Sequence, residues 1–591
     1  MKDFFKYVLA TVVGIIGVGA IMAVIGFISM IGIIAAGNTT PSLKDNSVMV
    51  MKLQGQLDDY AQEDVIGQLT GNAASNLSLS TMLEAIRKAK TDDHIKGIYI
   101  EGGYVLSNTA LYQELRNALL DFKKSGKWII AYGDRYSQGA YYVCSVADKV
   151  YMNPEGMLDW HGLGAQYYYP KDLYAKFGVK YVVAKVGKFK SATEMYTEDG
   201  MSDANREQTS RFLGGAWKVM LEDVAKSRGI NKDTLNLYAD NINMLEDPKV
   251  LQKEKFLDGF CYGDEIKQIV KKKLGVADDE EINQVGVKAV CQAIEDEAEG
   301  DEIGVYYCQG TIVQSAPQGL LAGQGPNIVA DDVIDDLQKM ADDESIKAIV
   351  LRINSGGGDA YASEQLWHEI EKINKTKPVV VSMAGAAASG AYYMSMGTSW
   401  IVAQPTTLTG SIGIFGLIPD VSGLLTQKLG VKFDEVKTNR NSNFQGIPLA
   451  RPFSDEEMGA LQGYVNRGYS LFRKRVADGR RQPVEKIEEI AQGRVWLGSD
   501  AINLKLVDQL GGIDDAVKKA AKLAKLEEYH TAVCNPETDW LTQLDNAQKH
   551  RNYLDEQLRA VLGQMYEPFM QLRQLNQREI LQAACPFNWR F

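Results

Sequence analysis

Residues 346–360 read IKAIVLRINSGGGDA and residues 378–393 read PVVVSMAGAAASGAYY; residues 406–416 follow as TTLTGSIGIFG. The first two open on aliphatic and β-branched runs and break at clusters of small residues, the pattern of a buried strand ending in a turn. A helix-like segment separates them. Strand, turn, helix and strand at this spacing predict an α/β layer with largely parallel strands. The stretch also holds two things that acyl chemistry uses: the turn Gly356-Gly357-Gly358 with its backbone N–H groups, and Ser389 at a strand-to-helix elbow. Each has a plainer reading, the serine as a helix cap and the glycines as an ordinary turn. No base is evident beside them. His368 with Asp359 suggests a triad, but His368 falls inside a helical pattern.

The same alternation appears earlier in the chain. VMVMKLQGQL at 48–57 reads as a strand, TMLEAIRKAK at 81–90 as a helix and IKGIYI at 95–100 as a strand. LYQELRNALLDFKKSG at 111–126 then reads as a helix and KWIIAYG at 127–133 as a strand. The two regions match at a fixed period. Ile95-Lys96-Gly97-Ile98 returns as Ile346-Lys347-Ala348-Ile349, an offset of 346 − 95 = 251, and Gly139-Ala140-Tyr141-Tyr142 returns as Gly390-Ala391-Tyr392-Tyr393 at the same offset. Further on the offset is 252, with Ser202-Asp203 answered by Ser454-Asp455. The chain is therefore read as two copies of one domain, 45–295 and 302–530, with an acidic joint between them. They follow an anchor at 1–40 and precede an extension at 535–591, whose residues 538–584 read as one or two amphipathic helices.

The copies have lost different things. Opposite Ser389 the first copy has Gln138, opposite Ser411 it has Trp160, and opposite Ser355-Gly356-Gly357-Gly358 it has Tyr104-Val105-Leu106-Ser107. The first copy carries Gly187-Lys188-Phe189-Lys190-Ser191 where the second reads Asn439-Arg440-Asn441-Ser442, which holds no lysine. One composite site could draw its serine from one copy and a base from the other. Lys190 on its own reads as a surface lysine, Lys188 is its nearest rival for the role, and Glu194 reads as a solvated or lysine-paired carboxylate.

Net charge is −12 over 591 residues with no concentrated basic block, which argues against a nucleic-acid partner. Residues 8–36 carry no charge and exceed the roughly 20 residues that span a bilayer. Lys2 and Lys6 precede them, so the positive-inside bias puts everything after residue 40 outside the cytoplasm. Six cysteines show no CxxC pairing, and five histidines show no metal-ligand spacing, so no metal or cofactor is expected.

The motifs NSGGGDAYASE (354–364), AAASGAYYMS (386–395), TTLTGSIGIFG (406–416) and KFKSATE (188–194) together resemble the long, tandem-repeat form of bacterial signal peptide peptidase A. The likeness runs from the anchor to about residue 530. It implies two tandem Clp/crotonase-like domains behind a single-pass transmembrane helix in the inner membrane, with the catalytic body on the periplasmic side. It implies a Ser–Lys endopeptidase that degrades cleaved signal peptides and other short apolar peptides, without a cofactor. Carried over by motif, Ser389 is the nucleophile, Lys190 the general base and Ser411 the residue that orients the lysine. Gly357 or Gly358, with Gly390, would supply the oxyanion N–H groups. A homotetrameric ring is also implied. Gly356 stands where the family usually has proline. Two rival readings are a non-catalytic envelope scaffold and a crotonase-type acyl-CoA enzyme; the latter conflicts with a body placed outside the cytoplasm.

Overall fold

The computed structural model describes residues 42–61, 76–241, 247–294, 299–316, 326–536 and, for the backbone alone, 581–584. The expected membrane span at 8–36 lies outside these residues, as does most of the carboxy-terminal extension. Among the described residues no helix is long and apolar enough to cross a membrane.

Two mainly parallel sheets form the body. In the first, the strands run in the order Asn76–Ser78, Ser47–Asp58, Ile95–Leu106, Trp128–Tyr136, Lys149–Leu158 and Gly259–Phe260, with Gln284–Gly286 also on Ser47–Asp58. In the second, Asp301–Gln309, Ile346–Ser355 and Val379–Ala388 form the centre, flanked by Tyr529–Val533 on one side and by Leu408–Gly410 and Trp400–Ala403 on the other. The central strand carries an unbroken apolar run because helices cover both of its faces: Ile349, Val350 and Leu351 are fully buried, alternating between two core clusters.

The repeat is visible in the helices as well as in the strand order. Asp203–Arg228 and Asp455–Arg480 are both 26 residues long, and each starts behind a serine cap, Ser202 Oγ accepting from Asn205 N–H and Ser454 Oγ from Glu457 N–H. Such caps contribute about 1 kcal/mol each.

A third sheet joins the copies. Its strands are Asn327–Val329, Thr311–Val313, Gly357–Asp359, Leu581–Ala584, Phe415–Asp420 and Lys180–Lys185, in that order. Lys180–Lys185 belongs to the first copy and pairs antiparallel with Phe415–Asp420 of the second, from Phe415 opposite Lys185 to Asp420 opposite Lys180. This pairing carries the chain after residue 185 across to the second copy. A buried ion cluster makes a further link. Arg352 of the second copy places its guanidinium 2.7 Å from Asp59 and 2.7 Å from Glu114, both of the first copy.

The helical expectation for residues 538–584 fails at its end. Leu581–Ala584 is a strand, paired antiparallel with Gly357–Asp359 and Phe415–Asp420. Helical periodicity describes how one segment would bury its own apolar face; it cannot register two sheet edges, distant in sequence, that accept the segment as a strand between them.

Candidate active site

Ser389 sits between the strand Val379–Ala388 and the short helix Gly390–Ser395, with φ 57° and ψ −117°. A side chain in this region of backbone space strains the chain by about 1–3 kcal/mol, so the surroundings must hold it there. They do so through the main chain: Ser389 N–H donates to Gly410 O at 2.8 Å, and Tyr393 N–H donates to Ser389 O at 2.8 Å. The side chain makes no capping bond to the helix that it precedes. The helix-cap reading therefore does not hold for Ser389, and its hydroxyl is directed elsewhere.

It is directed at Lys190. Lys190 Nζ lies 2.8 Å from Ser389 Oγ, 3.0 Å from Ser411 Oγ and 3.1 Å from Ser411 O. Lys190, Ser389 and Ser411 are each 1% exposed or less. The amine also lies 6.0 Å from the centre of the Phe415 ring. Lys188 is exposed, its amine over the Phe189 ring, and takes no part in the cluster. His368 is exposed on its helix, and Asp359 caps that helix by accepting from Ala362 N–H at 2.7 Å, so the triad reading is excluded. Glu194 is neither solvated nor lysine-paired as expected. It is buried, and its carboxylate accepts from Ser202 Oγ at 2.6 Å and from Asn205 Nδ2 at 3.0 Å.

Three features bring Lys190 so close to a serine 199 residues away in sequence. Strand pairing delivers the chain to residue 185. Gly187, with φ 97°, then packs so tightly on Gln492 that an added Cβ would fall 2.4 Å from its carbonyl. Gly493 does the same on Lys190 itself: a Cβ there would be 2.6 Å from Lys190 Cβ. The turn at 492–495 thus backs the lysine, and it also fixes Ser411, whose N–H donates to Arg494 O at 2.7 Å.

Sequence reasoning missed Gln208, which looks like one more polar residue along an amphipathic helix. It is 1% exposed. Its Nε2 donates to Phe189 O and Ser191 Oγ, both at 3.0 Å, and its Oε1 accepts from Val495 N–H at 3.3 Å. One amide therefore ties the lysine segment to the turn behind it. Replacing Gln208 by Ala leaves these buried groups without their partner, at about 1–3 kcal/mol, and frees the amine to drift. The expected result is a lowered melting temperature together with a fall in kcat of about tenfold or more, since small misplacements at a reacting centre are costly. Steady-state kinetics and thermal melting measure the two effects separately.

The strand Gly357–Asp359 of the glycine turn packs against the helix Gly390–Ser395 that begins directly after Ser389. Gly358 pairs with Ile312, and an added Cβ would fall 2.1 Å from Ile312 O, so this position accepts only glycine. Gly357 N–H donates to Ser355 Oγ at 3.0 Å. Gly390 opens the helix after Ser389, where first-turn N–H groups lack helical partners.

The matching positions of the first copy are filled structurally. Ser137, one residue before the Ser389 counterpart, is extended and caps its helix by accepting from Ala140 N–H. Gln138 accepts from the N–H groups of His161 and Gly162, and Trp160 is buried with its indole donating to Leu235 O. A cavity of about 600 Å³ beside the first sheet, bordered by Lys52, Tyr99, Glu101 and Tyr132, includes none of the clustered residues. The five described cysteines are free thiols. No group of three or more His, Cys, Asp or Glu among the described residues could hold a metal ion.

The family model for peptidase family S49 matches this chain twice, over residues 121–276 and 371–527. A model described as CoA-ligase matches residues 275–402, a span that includes neither Lys190 nor Ser411. The chain is 36% identical over 476 residues to Protease 4 of Salmonella typhi, covering 78% of this chain and 75% of that one. It is 31% identical over 550 residues to Protease 4 of Haemophilus influenzae, with 90% and 87% covered. It is also 31% identical over 490 residues to the chloroplastic serine protease SPPA of Arabidopsis thaliana, with 82% and 70% covered.

Proposed function

Since this chain belongs to peptidase family S49 and is a serine protease, we propose that it cuts peptides with a Ser–Lys dyad built across its two copies, Ser389 as nucleophile and Lys190 as general base. The 2.8 Å approach of Lys190 Nζ to Ser389 Oγ in a buried setting carries this reading. Lysine is a base only when neutral, and loss of surrounding water disfavours the charged form. Ser389 Oγ attacks the scissile carbonyl carbon while its proton passes to Lys190. The amine product leaves with that proton, and water then hydrolyses the ester, with Lys190 again taking and returning a proton. Ser411 orients the amine. Gly390 N–H with Gly357 or Gly358 steadies the oxyanion, at about 3 kcal/mol per donor; at Gly357 the substrate must displace Ser355 Oγ.

An extended peptide would lie as a strand between Gly357–Asp359 and Phe415–Asp420, in β-augmentation. The substrates proposed are cleaved signal peptides and other short apolar peptides. The chain would be held in the inner membrane by residues 8–36, with its body in the periplasm. A homotetramer completes the reading, and the repeat supports it. Within one chain Lys180–Lys185 pairs with Phe415–Asp420. The counterparts are 415 − 251 to 420 − 251, or 164–169, and 180 + 252 to 185 + 252, or 432–437; neither forms a strand, and 432–437 is exposed throughout. Head-to-tail copies would pair these segments in the same manner and close as a ring. Val436, fully exposed here, would then be covered. Val436→Asp is expected to reduce the particle mass to that of smaller assemblies in size-exclusion light scattering.

The test of the dyad is fluorophosphonate labelling of the purified chain. Labelling at Ser389 that is lost in Lys190→Ala supports it. A wild-type chain with no label at Ser389, or a Lys190→Ala variant labelled as fast as wild type at alkaline pH, would overturn it.

A further inference from the structure

Ser389 and the glycine turn come from different strands, and each is followed at once by a helix. Gly390–Ser395 begins directly after Ser389, and Ala360–Ile373 begins directly after Gly357–Asp359. How these two helices are held together therefore sets the separation of the nucleophile from the turn. The first has only six residues, too few to be fixed by its own hydrogen bonds. Yet it holds Ser389 in strained backbone, since Tyr393 N–H donates to Ser389 O at 2.8 Å.

Glu364 joins the two helices. It stands on Ala360–Ile373, and its Oε2 accepts from the Tyr393 hydroxyl at 2.5 Å. Tyr393 is buried, its ring centre 4.7 Å from that of Phe472. Burial, and then the Glu364 carboxylate, hold its hydroxyl above the ordinary tyrosine range, so it stays the donor. Arg475 fixes the carboxylate in turn. Its Nη2 lies 2.5 Å from Glu364 Oε1 and its Nε 3.2 Å from Oε2, with the guanidinium 3.6 Å from the centre of the Trp367 ring. Phe472 and Arg475 both belong to Asp455–Arg480. Three helices thus meet at one carboxylate, and a path of bonds runs from Ser389 through Tyr393 and Glu364 to the helix behind the glycine turn.

The first copy makes its joint differently. At the offset of 251, Tyr142 matches Tyr393, Gln113 matches Glu364 and Arg116 matches Trp367; at 252, Asp223 matches Arg475. The Tyr142 hydroxyl donates to Asp223 on the long helix Asp203–Arg228. Gln113 serves the other copy instead, its Oε1 accepting from Thr406 Oγ1 at 3.0 Å. Arg116 reaches only the main chain of the tyrosine, Nη1 donating to Tyr142 O at 2.8 Å. The copy that has lost the nucleophile and the glycines ties its tyrosine hydroxyl elsewhere. The copy that kept both ties it to the helix behind the turn.

We propose that Glu364 is a positioning residue of the peptidase reaction, setting Ser389 at its distance from the N–H groups of the glycine turn. This rests on the Ser389–Lys190 reading. Glu364 acts through Tyr393 and not on the peptide. Its contribution belongs to the transition state, when the carbonyl oxygen becomes an oxyanion and has to meet its donors while bonded to Ser389. Pairing of the substrate strand with the walls of the cleft does not depend on it.

The experiment uses the full chain purified in detergent, with a fluorogenic peptide for kinetics and thermal melting to confirm folding. Glu364→Ala is expected to lower kcat by about 10–100-fold with KM within about twofold, as a small misplacement at a reacting centre does. A peptide aldehyde bonds through its carbonyl carbon to Ser389 Oγ and presents its oxygen to the glycine turn. Its affinity should fall by the same factor as kcat/KM, because it resembles the transition state. Glu364→Gln keeps an oxygen for the Tyr393 hydroxyl and should recover most of the lost kcat. Tyr393→Phe removes the hydroxyl alone, so it should reproduce the loss without emptying the core, and adding Glu364→Ala to it should change little more. Folded Tyr393→Phe and Glu364→Ala chains with kcat and aldehyde affinity both within about twofold of wild type overturn the proposal; if Lys190→Ala is inactive in the same series, the dyad reading stands. A fall in kcat with no matching fall in aldehyde affinity also overturns it, since the defect then lies outside the oxyanion geometry. A wild-type chain that neither cleaves the peptide nor binds the aldehyde overturns both readings.

Discussion

Replacing Lys190 by Ala is expected to lower kcat/KM for a peptide substrate by about 1,000-fold or more, with little change in KM. Base catalysis contributes about 10²–10⁴-fold, and nucleophile and base act as one unit, so loss of either removes most of what both achieve. Ser389→Ala should therefore be about as damaging, and the double variant little worse than either single one. Ser411→Ala removes one of the two serine hydroxyls at the amine and leaves its carbonyl contact at 3.1 Å, so a milder fall of about tenfold is expected. Lys188→Ala serves as the control. Its side chain is exposed over the Phe189 ring, and activity should stay within about twofold, as for other surface changes. Initial rates on a fluorogenic peptide, with circular dichroism to confirm the fold, decide the matter. A Lys190→Ala chain retaining a tenth of wild-type activity would show that the base lies elsewhere.

The α/β layering was legible because its signal is local. Aliphatic runs such as IKAIVLRI and PVVVSMAG bury both faces, and their flanking helices repeat at helical spacing. The duplication was legible for a different reason: two copies of one sequence report on each other. Their differences at Gln138 against Ser389, and at Lys190 against the Asn439–Ser442 segment, singled out one residue in each copy, and the structure places those two side chains 2.8 Å apart. What stayed hidden depends on contacts between distant segments. Gln208 is helical and polar, and nothing in its neighbourhood says that it faces the turn at 492–495. Gly493 reads as a breaker, yet its use is to let Lys190 approach within a distance that no Cβ would allow. Glu194 reads as a surface carboxylate because the residues that bury it, Ser202 and Asn205, sit on the following helix. The strand at 581–584 is the extreme case. Its partners begin at Gly357 and Phe415, more than 160 residues upstream, since 581 − 415 = 166.

The division of the site raises the question of what keeps the halves aligned, and Arg352 gives the second large expectation. Its guanidinium is fully buried, with Nε 2.8 Å from Asp59 Oδ2, Nη2 2.7 Å from Asp59 Oδ1 and 2.7 Å from Glu114 Oε2, and Nη1 2.8 Å from Ser382 Oγ. Burial works against its charge, but Asp59 and Glu114 outweigh that and hold it above the usual arginine range. At Glu114 burial pushes the carboxyl up, while Arg352 pulls it down. Arg352→Ala therefore does more than delete an ion pair; it strands two carboxylates in the interior between the copies. Removal of one partner of a buried pair costs about 3–5 kcal/mol, and urea unfolding should show a loss of that size. With Arg352 gone, the downward pull on Glu114 is gone too, so its folded-state value rises further above the ordinary 4.5. The folded variant then holds a proton that its unfolded chain has released, and its stability must fall as pH climbs above about 4.5. Adding Asp59→Asn and Glu114→Gln should recover part of the loss and flatten this dependence, because the damage comes from uncompensated charge rather than from the missing side chain. Peptidase activity should fall alongside stability, since Lys190 and Ser389 meet only while the two copies are packed together.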